Sequence, residues 1–331
     1  MGLVRFFRKS VLIAMTGLAL GACNNDLELL SPDYQVYPLV YSMLELHRDT
    51  FFVRVTRTFV GEGSAYEYAR IEDSLYFPEA RVWLEKWNGD MRVARAELVK
   101  TNLRPRIPGI FLESPNWQYI VVRSPQTEIL FTGSQGDQEY HLAVEIPGRP
   151  LIYASTMAYT QADLIEPRRP LKINLYQNPI QFTWKNPAPY SEMYFRILYH
   201  DVYQDTAIAR SLNWREYHSV VQEEGATESV FGQDVMKRIA GSIPNDPRVI
   251  YRPITAFQVV LVGIPAALHD YRMMAEVAPT DQIGFPVTNV VNGLGLFTSQ
   301  TQAFFELDLD LKSKDSIMNG QYTKHLKLKL Y

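Results

Sequence analysis

The stretch TFFVRVTRTF, residues 50–59, alternates Phe51, Val53, Val55 and Arg57 with Phe52, Arg54, Thr56 and Thr58. A period of two marks a strand with one face buried, because successive side chains leave opposite sides of an extended backbone. The pattern returns in ARVWLEKW, where Val82, Leu84 and Lys86 oppose Trp83, Glu85 and Trp87. NGD then supplies a hairpin turn, and MRVARAELV resumes the alternation. WQYIVV, EYHLAVEI and LIYASTMAY read as further strands, with Pro105, Pro108, Pro115, Pro125 and Pro147 punctuating the gaps. Short strands separated by turn signals predict an all-β sandwich.

IEPRRPLK, with Pro167 and Pro170, is the expected linker to a second half. That half opens with IQFTWKNPAPYSEMYFRILYHDVY: a strand carrying a tryptophan, a Pro-rich turn and a long aromatic strand. Two helices are expected beyond it. In ESVFGQDVMKRIAGSIP, Phe231, Val235, Ile239 and Ile243 recur every four residues before Gly241 and Pro244 end the run. In PAALHDYRMMAEVAP, Pro265 sits at a first helical position, and Leu268, Tyr271 and Ala275 share a face. TAFQVVLVG between them has the character of a buried strand. The expected architecture is mainly β: two immunoglobulin- or fibronectin-like β-sandwich domains, residues 36–165 and 166–331, the second with inserted helices.

The front of the chain has a different layout. Arg5, Arg8 and Lys9 precede an uncharged run from Val11 to Leu20, and Leu20-Gly21-Ala22 lead into Cys23, the one cysteine of the chain. That is a secretory signal peptide over residues 1–22. Its apolar run is shorter than the ~20 residues a membrane-spanning helix needs. Leu-Gly-Ala-Cys resembles the lipobox of bacterial lipoproteins, a family in which the cysteine sulfur is acylated and the leader is cut just before it. Cys23 is then a lipidation site, with residues 23–35 as its tether, and two or more acyl chains hold stably where one does not. Asn24 follows where enteric inner-membrane lipoproteins carry aspartate, and Asp26 and Glu28 loosely resemble the surface-export signal of Bacteroidota lipoproteins. The implied location is the outer membrane, lipid-anchored, the surface face favoured over the periplasmic one.

Composition narrows the partners. Removing residues 1–22 lowers the basic count from 33 to 30 against 36 acids, a formal charge of −6. A mildly acidic chain has no general electrostatic reason to bind nucleic acid or anionic lipid. With one cysteine, no intramolecular disulfide and no zinc-type cysteine cluster can form.

Four patterns are candidates for chemistry. In NVVNGLGLFTS, Asn289, Asn292, Gly293 and Gly295 form a candidate binding loop. Its amides are suited to an anion nest, and its glycines equally to a tight turn that leads Phe297 into the core. FFELDLDLK places Glu306, Asp308 and Asp310 on one strand face opposite Phe305, Leu307, Leu309 and Leu311. Residues two apart lie ~6.6 Å from each other, too far for all three to share one calcium ion easily, and a solvated sheet face is the expectation. The histidines, His47, His141, His200, His218, His269 and His325, show no metal-site spacing. Trp83 and Trp87 share a face and form a candidate aromatic surface for a sugar. The terminal KHLKLKLY reads as an edge strand guarded by lysines.

Three segments carry a broader resemblance: VYPLVYSMLELHRDTFFVRVTRTFVGEGSAYEYARIEDSLYF, YHLAVEIPGRPLIYASTM and FPVTNVVNGLGLFTSQT. In order and character they resemble an uncharacterised family of Bacteroidota cell-envelope lipoproteins, over most of the chain after residue 22. The most specific element runs from Pro286 to Ser299; the family's arginine after that serine is Gln300 here, which weakens a charge-based role for the loop. The resemblance implies a lipoprotein working beside a TonB-dependent outer-membrane receptor, and it transfers no catalytic residue. The expected function is therefore a non-enzymatic accessory or binding lipoprotein with no cofactor and no metal. The alternatives are a glycan- or nutrient-binding surface protein and, behind it, a hydrolase assembled from dispersed carboxylates.

Overall fold

A computed structural model describes residues 36–59, 64–132, 138–168, 172–176, 179–220, 225–277 and 287–330. Cys23 and the expected leader, residues 1–22, lie outside them. The chain is mainly β, as the alternation predicts. The first half supplies β1 (Pro38–Leu44), β2 (Thr50–Arg57), β3 (Arg81–Asn88), β4 (Met91–Leu103), β5 (Asn116–Val122), β6 (Gln138–Glu145) and β7 (Ile152–Ala158). Three one-turn helices interrupt them: α1 (Ala65–Tyr68), α2 (Glu72–Leu75) and α3 (Glu128–Phe131). The second half supplies β8 (Asp163–Glu166), β9 (Lys172–Ile173), β10 (Ile180–Lys185), β11 (Tyr190–Val202), β12 (Ala207–Val220), β13 (Ala226–Val230) and helix α4 (Gly232–Ser242). Then come β14 (Arg252–Ile264), α5 (Ala266–Val277), β15 (Leu294–Ser299), β16 (Thr301–Glu306), β17 (Asp308–Leu309), α6 (Leu311–Asn319) and β18 (Leu328–Lys329).

The first half is one eight-stranded sheet in the order β15-β1-β2-β5-β4-β3-β6-β7. Its inward positions follow the period-two pattern: Val40 and Leu44, Phe51, Val53 and Val55, Val82 and Leu84, Tyr140, Leu142 and Val144 are all buried. The sheet rolls until its edges meet. Tyr153 on β7 exchanges backbone hydrogen bonds with Val291, just before β15, at 2.8 and 3.3 Å, and Ser299 at the end of β15 donates to the Met157 carbonyl on β7. The two opposed walls of the rolled sheet enclose the core, and closure leaves neither edge strand free.

The second half is a sandwich. A three-stranded sheet, β13-β10-β8, faces a larger one in the order β12-β11-β14-β16, with β18 beside the start of β14. Phe182 and Trp184 from the first pack with Met193, Phe195, Ile197, Phe257 and Val259 from the second, and α4 adds Val235 and Ile239. Apolar burial at ~25 cal/mol per Å² makes this contiguous cluster the main stabilising term. The Trp184 indole N–H, wholly buried, donates to Ser191 Oγ at 2.7 Å, so its polar end is satisfied. Because β8 already pairs with β10, the second half begins before the Pro-rich stretch, and that stretch follows its first strand.

Several local expectations change. Phe231 precedes α4 as a half-exposed cap, and the buried face is Val235, Met236 and Ile239. Gly232 takes the place next to the Leu175 carbonyl, where a Cβ would lie 1.9 Å from the oxygen. FFELDLDLK is not one strand: β16 ends at Glu306, β17 pairs in parallel with β9, and Asp310 caps α6 by accepting from the Ser313 N–H at 2.8 Å. Leu311 is consequently on the surface. KHLKLKLY forms a 3-10 turn, Lys324–Leu326, then the two-residue β18, because Lys327 adopts φ 57° and turns its ammonium to the Val249 carbonyl.

Candidate functional site

Of the Pro286–Ser299 motif, residues 287–299 lie along the closing seam. Asn289 places its side-chain amide between two strands: Oδ1 accepts the Phe297 N–H at 2.9 Å, and Nδ2 donates to Phe297 O at 2.6 Å and to Ser155 O at 3.1 Å. One amide thus does the work of a strand residue between β15 and β7. Asn292, at φ 60°, donates to the Leu151 carbonyl at 2.7 Å. Gly295 sits at φ +119°, where a Cβ would be 2.0 Å from the Val40 carbonyl oxygen, and Gly293 backs onto Pro38. No side chain but hydrogen fits at Gly295. All four candidate loop residues are engaged in holding β15 against β1 and β7. Phe297 points inward and meets Phe51 edge-on at 6.2 Å.

Trp83 and Trp87 lie on the outer face of β3 as the alternation predicts. The Arg81 and Arg95 guanidiniums lie 4.8 and 4.9 Å from the Trp83 ring, which is 7% exposed. Trp87 stacks on His141 at 5.0 Å and donates its N–H to Glu85, which also receives Arg92 and Arg95. The two rings are capped by charged neighbours on this face. Arg81 also forms a two-pronged pair with Glu97, and its partner's carboxyl is held below the usual range by that hydrogen bond.

The three carboxylates of FFELDLDLK go separate ways: Glu306 accepts from Gln258, Asp308 pairs with Lys314 at 3.4 Å, and Asp310 caps α6. Among the described residues no group of three His, Cys, Asp or Glu side chains could hold a metal ion. His269 stacks on Tyr190 at 3.8 Å, and Asp201, next to His200, is bound by Arg252 at 2.6 Å and Arg210 at 2.9 Å.

Two features escape sequence reasoning. The first is a buried charge cluster under α5. Glu192 on β11 is 0% exposed; Arg272 and the Tyr194 hydroxyl bind Oε2, while Oε1 faces Arg215 at 3.5 Å with no hydrogen bond. Burial, then Glu192, raises the Tyr194 hydroxyl to about 12. Arg272 also donates to Gln300, which donates in turn to Glu45 at 2.6 Å and, through its backbone, to Leu44 O at 3.0 Å. Gln300 is the single residue between β15 of the rolled sheet and β16 of the sandwich, so this chain of contacts spans both halves.

The second is a surface groove along β1 and β2. Two hollows of about 370 and 430 Å³ share Tyr41 and Arg54, which are cross-strand neighbours. One end is apolar, between Phe52, Met43, Leu296 and Tyr271. The other is cationic, with Arg54, Arg57 and Arg106 beside Leu39, Phe59 and Phe111. Asn116 Oδ1 accepts from both Arg54 and Arg106, and Arg106 also reaches the Tyr76 hydroxyl at 2.8 Å. Arg57 donates to the Asp73 carbonyl and lies over the Phe77 ring at 5.4 Å. Among the described residues none of the three forms an ion pair with a carboxylate. Burial, then Arg106, pulls the Arg54 guanidinium below its ordinary value. Arg54 was readable on the outer face, but Arg106 joins it from a loop some fifty residues on, through no local pattern.

No family model matches the chain, and no curated protein does. Among solved structures, it aligns over 83% of its length with a chain from work on host cell surface retention of a 1.5-MDa bacterial ice-binding adhesin, at 10% identity and TM-score 0.20. The aligned part spans 65% of that chain, less than two thirds. Similar alignments reach CBD12 from CALX1.2, over 82% of this chain and 99% of that one at 9% identity and TM-score 0.19, and the calcium binding domain CBD12 of CALX1.1, over 79% and 98% at 9% and 0.17. At these scores the likenesses carry no argument about function.

Proposed function

We propose that this chain is a lipid-anchored protein of the bacterial outer membrane that acts by binding a partner, not by catalysis. The observation that carries the reading is Leu20-Gly21-Ala22-Cys23: the chain's one thiol, behind a basic start and a short apolar run. Acylation there holds the folded body beside the bilayer, since the roughly fifteen residues from Cys23 to the start of β1 at Pro38 reach at most ~50–55 Å when extended. Two arrangements support a binding role. The candidate loop and the acidic stretch have their polar groups committed to neighbours, whereas the groove on β1 and β2 presents apolar walls and three guanidiniums that form no ion pair with a carboxylate among the described residues. An outer-membrane receptor of the TonB-dependent kind is the partner that the family resemblance suggests.

The test has two readings. Mass spectrometry of native protein should find acyl chains on Cys23 and an amino terminus at that residue. Affinity purification from gently solubilised envelopes should co-purify an outer-membrane barrel protein. An unmodified Cys23, or its removal with the leader, contradicts the reading at its base; acylation without any barrel protein removes the receptor from it.

A further inference from the structure

The groove on β1 and β2 runs through two adjoining hollows and divides chemically along its length. Phe52, Arg54 and Thr56 of β2 face outward, and with Thr58 just past the strand they cover roughly 20 Å at ~3.3 Å per residue. A compact sugar or cofactor would occupy one of the two hollows; an extended segment of about six residues occupies both. At one end Tyr41, 39% exposed, and Tyr271, 40% exposed, stand with Phe52, Met43 and Leu296 around an apolar slot. At the other, Arg54 and Arg106 stand beside the exposed ring of Phe111, and Arg57, which alternates to the opposite side of β2, lines the same hollow at the end of the strand, in a protein whose overall charge is negative. Among the described residues these guanidiniums meet neutral acceptors, and guanidinium donors bind carboxylates in paired hydrogen bonds.

We propose that this groove binds an extended peptide segment of a partner protein, acidic at one end and apolar at the other. Its carboxylates lie against Arg54, Arg57 and Arg106, and its apolar side chains between Tyr41, Phe52 and Tyr271. The two edges of the rolled sheet are tied to each other at Tyr153–Val291 and through the Asn289 and Ser299 side chains, and the groove lies on the sheet face, so recognition runs through side chains and not by adding a strand. The proposal rests on the reading of this chain as a binding protein and names the chemistry of its partner.

Fluorescence anisotropy on the full chain, purified in detergent, provides the test. The probes are fluorescein-labelled octapeptides with three glutamates at one end and Leu-Phe-Leu at the other, in both chain orders, and lysine counterparts. A glutamate probe should bind, its affinity should fall as sodium chloride rises, and the lysine probes should not compete. Arg57→Gln combined with Arg106→Gln should weaken binding about tenfold or more. Because Arg106 also braces Asn116, Tyr271→Ala on the exposed face of α5 serves as a second variant. It should weaken binding about tenfold with the circular dichroism spectrum unchanged. Failure of both glutamate probes, equal binding of the lysine probes, or affinities unmoved by Tyr271→Ala overturns the proposal. So does binding of phosphatidylglycerol vesicles through these residues with no peptide binding, which makes the groove a lipid-facing surface. If Cys23 is acylated and a receptor co-purifies equally with wild type and groove variants, the groove proposal fails while the accessory role stands.

Discussion

The rolled sheet and the sandwich hide apolar faces by different routes. The sandwich is assembled from nearly consecutive strands, and its two sheets enclose one contiguous core around Trp184, Phe195 and Val259. The rolled sheet needs a strand from far along the chain: β15 pairs in parallel with β1, Leu39 opposite Leu294 through Leu44 opposite Ser299. Without β15, β1 and β7 would both present open edges, and Phe297 would leave the core it fills beside Phe51. The first half is therefore complete only after the second has been made. A closed sheet bought this way depends on a few side chains at its seam, whereas the sandwich spreads its stability over many.

That contrast can be broken most sharply at Gly295. A Gly295→Val substitution forces a side chain into the Val40 carbonyl at a positive φ, and should cost about 4 kcal/mol or more, read as a large fall in the denaturant midpoint. The fluorescence of Trp83 and Trp87 should change before that of Trp184 and Trp214. Glu192→Gln tests the junction: it leaves Arg215 and Arg272 without their buried carboxylate and should cost about 3 kcal/mol, within the range for breaking a buried pair from one side. Asn289→Ala removes the amide that joins β15 to β7 and should cost about 2 kcal/mol, since it leaves backbone groups at Phe297 and Ser155 unpaired.

A smaller effect separates the interiors. Lys86 points into the rolled sheet, donating to the Ile129 and Thr132 carbonyls at 3.2 and 2.6 Å, and burial lowers its pKa. Between that lowered value and the unfolded value of about 10.4, the unfolded chain binds the additional proton, so stability rises with pH across this window. Thermal unfolding from neutral to pH 10 should show that rise in wild type and a flatter profile in Lys86→Met. Equal slopes in both would mean that the ammonium is solvated.

Much of this was legible in the sequence. Period two separated Phe51, Val53 and Val55 from Phe52 and Arg54, and Val82 and Leu84 from Trp83, Glu85 and Trp87, and Asn88-Gly89 turned the hairpin, with Gly89 at φ +55°. Periodicity also found both long helices to within a residue or two. The destination of β15 was not legible, because parallel pairing with a strand some 250 residues earlier leaves no local mark. The alternation also fails there: Leu296 and Phe297 are both buried, one beneath α5 and the other inside the sheet. The break after Glu306 was hidden for the opposite reason, since Leu307 and Leu309 keep the strand pattern while the backbone leaves one sheet for another. The groove has no sequence signature, because its three arginines meet only once β2 and the loop before β5 are in place.

Hydrogen exchange of the Leu294–Ser299 amides addresses the closing strand most directly. The account predicts protection within these amides comparable to that of β1 and β2, lost together with theirs in Gly295→Val. Exchange at the rate of an exposed loop, with β1 still protected, would contradict it.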